Sequence, residues 1–283
     1  MADVRIAPAN DANVRSFARR RSLDETAARL GIDLAERGTA FAAYDRSEAI
    51  GIVFAYPSAQ ERYVGDLFVE SSYRGEGIGG RLLDAALEDA GDVARRVLMD
   101  PNEAAAVALA LRRGLAPRGV LLEIAGSVPR EDALLRMAAG DYRFAVDAVD
   151  PVAHRFALDA LDAEVRGTTR AEEHARFARE ADGLAVFLEG EFVAYAYVWP
   201  SGRIGPIATA SAAYLTQIFA FAIVTLQRRF GASWCTALVP GEAVRLLRAV
   251  LKSGLRIERS MAIAADDPLP DPARYVGFHP MLL

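Results

Sequence analysis

Asp66-Leu67-Phe68-Val69-Glu70-Ser71-Ser72-Tyr73-Arg74-Gly75-Glu76-Gly77-Ile78-Gly79-Gly80-Arg81-Leu82-Leu83 is the stretch whose reading decides the fold. An alternating, strand-like run ends at Val69, a polar turn follows, and glycines at 75, 77, 79 and 80 lead into an amphipathic helix. Glycine at such positions lets the chain take positive φ and lets a ligand approach the main chain closely. Successive N–H groups, including those of Glu76 and Ile78, then converge at the positive end of a helix dipole. That arrangement is a phosphate cradle built from backbone. Arg74 adds a fixed charge to the cradle or braces it.

Periodicity orders the elements on either side of this loop. Residues 4–7 read as a strand, 10–22 and 24–37 as helices with Asp24 as an N-cap, and 39–45, 49–56 and 63–69 as an antiparallel meander. Residues 77–90 read as a helix, 94–99 as a buried strand, 103–113 as a helix stopped by Gly114, and 119–124 as a strand. The second half repeats the order: strand 143–149, helices 154–164 and 171–180, a meander of 184–188, 192–198 and 203–208, helix 214–230, strand 234–238, helix 242–253 and strand 256–263. The helix stops show the register. Leu111-Arg112-Arg113-Gly114-Leu115 corresponds to Leu251-Lys252-Ser253-Gly254-Leu255, an offset of 140 residues. The expectation is a duplicated domain, 1–128 and 143–283, joined by a connector over 129–142. Residues 266–283, with four prolines, are expected to wrap the surface as a tail.

Two kinds of phosphate binder fit the loop. Gly75-x-Gly77-x-x-Gly80, with Asp100 twenty residues beyond, matches a dinucleotide fingerprint. In a dinucleotide fold, however, the glycines follow the strand directly, whereas here residues 70–74 intervene and a meander precedes the site. Arg74-x-x-Gly77-x-Gly79, with Asp-Leu-Phe-Val before it and Gly-x-x-Leu-Leu after it, resembles instead the acyl-CoA pyrophosphate loop of the GNAT N-acetyltransferase superfamily. The order of elements over residues 3–126 is similar to that family's as well.

The resemblance implies an α+β (mixed α/β) fold of two GNAT-like domains, each a mostly antiparallel, centrally splayed sheet flanked by helices. It implies acetyl-CoA as cosubstrate, its phosphates on Arg74, Gly75, Glu76, Gly77, Ile78, Gly79 and Gly80. The pantetheine arm would lie between the strand ending at Phe68 and Val69 and the strand 94–99, hydrogen-bonding exposed backbone as an added strand does. An amine would attack the thioester directly, with a general base for its proton and an acid for the departing thiolate. Asp66 is the candidate base, and Asn102 resembles the family's asparagine near the start of the next helix. The family's acid is a tyrosine four residues before the helix-stop glycine; here that position is Ala110.

The second half has lost the loop. Gly205-Pro206-Ile207-Ala208-Thr209-Ala210-Ser211-Ala212-Ala213-Tyr214 holds no arginine and no alternating glycines, so this half is expected to be degenerate. Its expected role is to close the acceptor cleft or to replace the second subunit of a dimer, leaving the chain a pseudo-dimeric monomer or a homodimer. Tyr195, Tyr197, Trp199 and Arg203 read either as an acceptor pocket or, for the aromatics, as core.

Composition narrows the function. The net charge is -5, and all of it falls in residues 1–150, which suits a cationic acceptor as well as an ordinary solvated surface. The acidic balance argues against a nucleic-acid surface. His154, His174 and His279 show no metal-ligand spacing, so no metal is expected. The single cysteine, Cys235, sits in an apolar run and excludes an internal disulfide, and with no secretory or membrane segment expected, the reading is cytoplasmic. The expected function is transfer of acetyl from acetyl-CoA to an amine of a small molecule or peptide. The alternative is a non-catalytic, acyl-CoA-binding regulatory protein.

Overall fold

The computed structural model describes residues 4–282 except 22, 24, 59, 89, 141, 268 and 269, so the expected cap at Asp24 lies outside the described residues. The first half runs β1 (Val4–Pro8), α1 (Asp11–Arg20), α2 (Glu25–Glu36), β2 (Ala40–Asp45), β3 (Glu48–Pro57), β4 (Glu61–Val69), α3 (Ile78–Leu87), β5 (Ala94–Met99), α4 (Ala104–Leu111), β6 (Ala116–Ser127) and α5 (Glu131–Ala138). The second runs β7 (Phe144–Ala148), α6 (Arg155–Arg166), α7 (Ala171–Glu180), β8 (Asp182–Leu188), β9 (Glu191–Val198), β10 (Arg203–Thr209), α8 (Leu215–Phe230), β11 (Trp234–Pro240), α9 (Val244–Lys252), β12 (Arg256–Ala265) and β13 (Tyr275–Val276). The mixed α/β class read from the sequence holds.

The chain divides into two compact units, and the division exchanges strands. Unit 1 comprises Met1–Arg118, Ala262–Pro268 and His279–Leu283; unit 2 comprises Gly119–Met261 and Leu269–Phe278. In unit 1 the strand order is β1-β2-β3-β4-β5, closed by the end of β12, where Ala262–Ala265 pair antiparallel with Met99–Arg96. In unit 2 the order is β6-β11-β10-β9-β8-β7, with Leu121–Ser127 of β6 antiparallel to Pro240–Trp234. Each unit thus takes its last strand from the opposite half of the sequence.

Unit 1 has two faces. Phe17 of α1 packs edge-to-face on Phe68 at 5.7 Å, and Val14, Leu30 and Leu34 bury the helix pair α1–α2 on that face. Helix α1 starts cleanly because Asn10 and Asn13 accept each other's backbone N–H, a reciprocal cap. On the other face Ile78, Leu82, Leu83 and Ala86 of α3 join Val64, Val69 and Val97 in one apolar cluster. Unit 2 buries α8 through Leu215, Ile218, Phe219, Ile223 and Leu226, which explains why that helix is too apolar for a surface element. The tail does not wrap the surface as expected. From Tyr275 to Phe278 it is buried in unit 2, and His279, Met281 and Leu282 are buried in unit 1.

Unit 2 also buries a polar network. Asp162 of α6 is fully buried; Tyr195 donates to its Oδ1, His174 Nε2 lies 3.1 Å from its Oδ2, and Arg170 Nε lies 3.2 Å from the same oxygen. His174 Nδ1 lies 2.9 Å from Tyr197 Oη, and Arg170 donates to Tyr275 Oη at 2.5 Å. Trp199 donates to Gly205 O at 2.7 Å and stacks on Phe278, and Arg203 donates to Phe278 O at 3.2 Å. Tyr195, Tyr197, Trp199 and Arg203 are therefore interior residues, as the core reading of the aromatics has it.

Burial alone would raise the Asp162 carboxyl, but the Arg170 charge, the His174 hydrogen bond and Arg166 outweigh it and hold it below the usual carboxylate range. A folded-state depression of this kind contributes stability above the unfolded carboxylate value, and that contribution is lost as pH falls through the lower folded one. Asp162→Asn removes a buried counter-charge and is expected to cost about 3–5 kcal/mol. Urea midpoints measured from neutral pH downwards should show the loss shrinking as the wild-type carboxylate protonates.

Candidate functional site

The site begins where two parallel strands part. Strand β4 pairs with β5 from Glu61↔Ala94 to Val64↔Val97. There β4 also bulges against β3, since Phe54 faces Asp66 while Ala55 faces Val64, leaving Gly65 as the extra residue. Past the bulge, Asp66 and Phe68 lie on the α1 side, where Arg21 reaches Asp66 and Phe17 meets Phe68. Leu67 and Val69 lie on the α3 side. The edge of β4 that faces β5 runs from the bulge to the glycine loop.

The loop has the backbone its sequence requires. Gly75 and Gly77 take φ of +86° and +80°, and a Cβ at either would meet nothing within 4 Å. Conformation, not crowding, is therefore what demands glycine there. Gly77 is the left-handed N-cap of α3 and offers no side-chain cap, so the first N–H groups of α3 stay available to a ligand. Gly79 and Gly80 differ in role. A Cβ on Gly79 would touch Leu67, Val69 and Leu109 at ordinary distances, while one on Gly80 would press on Arg113 at 3.2 Å. Arg113 bonds Gly80 O at 2.9 Å and Asp84 at 2.6 Å, tying α4 to α3.

Arg74 braces the loop: its Nε donates to Val69 O at 3.2 Å and its head group sits 3.6 Å from Glu103. Glu76 is exposed at the rim and Ile78 is buried under the helix. Asn102, exposed in the turn after β5, folds back on Asp100, with its backbone and side-chain N–H groups donating to one carboxylate oxygen at 2.8 and 3.1 Å. Asp66 accepts from Arg21 at 2.5 Å, and the same guanidinium lies 4.9 Å above the Phe68 ring.

Unit 2 repeats the parting of strands and then closes it. Strand β10 pairs with β11 at Arg203↔Thr236 and Ile204↔Ala237, the latter 140 residues beyond Val64↔Val97 on both strands. The gap holds β13. Val276 and Tyr275 pair antiparallel with Ile207 and Ala208 of β10, and Gly277 bridges to Leu238 of β11 with its N–H 2.7 Å from Leu238 O. The chain's own strand stands between β10 and β11 at the level of Leu67 and Phe68 in unit 1. Sequence reading missed it because two residues in a proline-rich tail carry no periodicity.

Residues 9–115 match the model of the acetyltransferase (GNAT) family. No curated protein matches in sequence. Among solved structures, an acetyltransferase candidate from Pyrococcus horikoshii is similar over 100% of this chain and 96% of its own, with a TM-score of 0.73 at 14% identity. A GCN5-related N-acetyltransferase from Sphaerobacter thermophilus is similar over 95% and 96%, with a TM-score of 0.63 at 15% identity. A tandem GNAT protein from the clavulanic acid biosynthesis pathway is similar over 93% and 98%, with a TM-score of 0.58 at 13% identity.

Residues 9–115 match the GNAT family, and the whole chain has the fold of tandem GNAT structures. The glycine loop read from the sequence lies in unit 1 and within the matched residues, whereas the strand expected over 119–124 belongs to unit 2. Among the described residues, no helix is long and apolar enough to cross a membrane.

Ala110 of this GNAT domain is not a vacant acid position. It is 1% exposed, packed with Leu82, Leu83, Val97 and Leu115. Ala110→Tyr forces a ring into a filled core and is expected to cost about 1–3 kcal/mol. A thermal melt of the variant that matches the wild type would show that residue 110 has room to turn outward.

Proposed function

We propose that the chain is an N-acetyltransferase that moves the acetyl group of acetyl-CoA to an amine of a small molecule or peptide. The observation that carries this reading is the uncapped start of α3, preceded by Gly75 and Gly77 at positive φ, at the end of a strand that parts from its neighbour. Main-chain donors suit a pyrophosphate because they need no counter-charge of their own and sit at the positive helix end. Residues 74–80 hold the phosphates, the free edge of β4 through Phe68 and Val69 holds the pantetheine amides, and Asn102 stands at the opposite rim.

The amine nitrogen attacks the thioester carbonyl, the C–S bond breaks, and the thiolate leaves. Asp66 accepts the amine proton. Its bond from Arg21 fixes one carboxylate oxygen and leaves the other for the acceptor. The thiolate is a fair leaving group and takes its proton from water or from the released amine proton. By sequence we divide the chain into a catalytic GNAT half, 1–128, a connector, 129–142, and a degenerate half, 143–283, which serves as the second half of a pseudo-dimer, each half lending a strand to the other's unit. The protein works in the cytoplasm without a metal.

A second reading, a non-catalytic acyl-CoA-binding regulator, is favoured by Arg21 on Asp66 and by the buried alanine at 110. Steady-state CoA release with a panel of amines separates the two, since tight acetyl-CoA binding without turnover supports the regulator.

Calorimetry should give one acetyl-CoA per chain, because β13 fills the gap of unit 2. Gly77→Glu, which puts a side chain and a negative charge where the phosphates sit, should abolish binding while the variant still folds. Normal binding by that variant would place the phosphates elsewhere. Asp66→Asn is expected to lower kcat by about 10²–10⁴-fold. An unchanged rate would move the base to another group.

A further inference from the structure

The chain's last residues return to unit 1 and end against β4. His279 N–H donates to Leu282 O at 3.1 Å, Leu282 N–H to His279 O at 2.9 Å, and Met281 N–H to His279 Nδ1 at 3.1 Å. The result is a closed turn with His279, Met281 and Leu282 buried. Tyr63 Oη fastens it to β4 by donating to Pro280 O at 2.6 Å. A Cβ on Gly65 would lie 2.5 Å from Met281 Cα and 2.7 Å from Pro280 O, closer than real Cβ atoms come to backbone. The bulge residue is glycine because the turn sits directly on it.

The turn covers a definite face. Side chains alternate along a strand, and Val64 points to α3, so Tyr63 points to the α1–α2 face, the face of Asp66 and Phe68 past the bulge. We propose that this turn is the wall on which the acyl chain of a bound thioester ends, so that Pro280 and Met281 set the acyl length the protein accepts. The inference rests on the acyl-CoA reading of unit 1.

From the loop, an arm laid along β4 from Val69 to Gly65 runs four residue spacings, roughly 13 Å at about 3.3 Å each, which is most of the reach of an extended pantetheine. Its thioester arrives at the bulge. Straight ahead, the Val64↔Val97 pair closes the gap between the strands. To one side lies the α3 cluster of Ile78, Leu82 and Leu83. The remaining direction is the α1–α2 face beside Tyr63, and the turn occupies it. An acetyl group stops short of the turn, whereas each further methylene is driven into buried backbone. Asp66, one residue beyond the turn, stays open to the amine.

The test compares acetyl-CoA with hexanoyl-CoA by calorimetry on the full chain, on a chain ending at Phe278, and on Tyr63→Phe. Ending the chain at Phe278 keeps β13 and removes only the turn. Wild type is expected to favour acetyl-CoA by about tenfold or more, the discrimination a closed apolar wall gives against added methylenes. Without the turn, hexanoyl-CoA should bind at least as tightly as acetyl-CoA. Tyr63→Phe, which loosens the turn by one hydrogen bond, should narrow the ratio by about two- to tenfold. It decides the matter if the shortened chain does not fold. A wild type that binds hexanoyl-CoA as well as acetyl-CoA overturns the wall, as does a shortened, acetyl-CoA-binding protein that keeps the wild-type ratio. A wild type that binds neither thioester brings down the acyl-CoA reading itself, and the wall with it.

Discussion

Backbone groups taken out of water must find partners, and a strand that leaves its neighbour inside a sheet creates a row of groups that have lost theirs. This chain does so twice, after Val64↔Val97 and after Ile204↔Ala237, at positions 140 residues apart on both strands. Much of the rest of the structure answers that one requirement. In unit 2 the answer is intramolecular: β13 supplies its own N–H and C=O groups to Ile207 and Ala208 on one side, and Gly277 to Leu238 on the other. In unit 1 the parting strands lead to a loop of available N–H groups at the start of α3, which is what a ligand carrying both amides and phosphates would meet.

The strand exchange follows the same logic at the far edge. Strand β5 is completed by the end of β12, and β11 by β6, so neither half of the sequence contains every strand of its own unit. Arg95 strengthens the first join by donating from its backbone and side chain to Asp266 at 2.9 and 2.8 Å. A sheet tolerates such an exchange because the ladder is made of main chain and accepts any strand of suitable length and pattern. The same indifference to side chains lets the fold persist at 14% identity to a structure with a TM-score of 0.73.

What the sequence made legible was local. The alternation ending at Val69, the glycines at 75 and 77 and the helix stops at Gly114 and Gly254 are short-range signals, and the structure has each in place, with positive φ at all four glycines. What it hid was non-local. Nothing in residues 119–124 says that their partner is β11, because alternation names a face and not a neighbour. Tyr275 and Val276 are too few to show a period, and Pro268, Pro270 and Pro272 made the tail look like surface. Asp162 of α6, His174 of α7 and Arg170 just before α7 carry no local sign that Tyr195, Tyr197 and Tyr275 are their hydrogen-bond partners.

The two gaps also differ in the sequence that follows them. A strand tethered to the sheet it enters competes with a free ligand at a very high effective concentration, so once β13 lies in the gap of unit 2 a diffusing arm has no edge left to pair with. A phosphate cradle beside a closed gap has nothing to anchor. The stretch Gly205–Tyr214 accordingly carries neither the arginine nor the alternating glycines, and the α8 that follows is packed by Leu215, Ile218 and Phe219 rather than left open at its start. In unit 1 the tail comes to rest on the face of β4, at Gly65, and not along its edge. The same C-terminal segment therefore shuts one gap and only borders the other, and the difference lies in which side of a strand its last eight described residues meet.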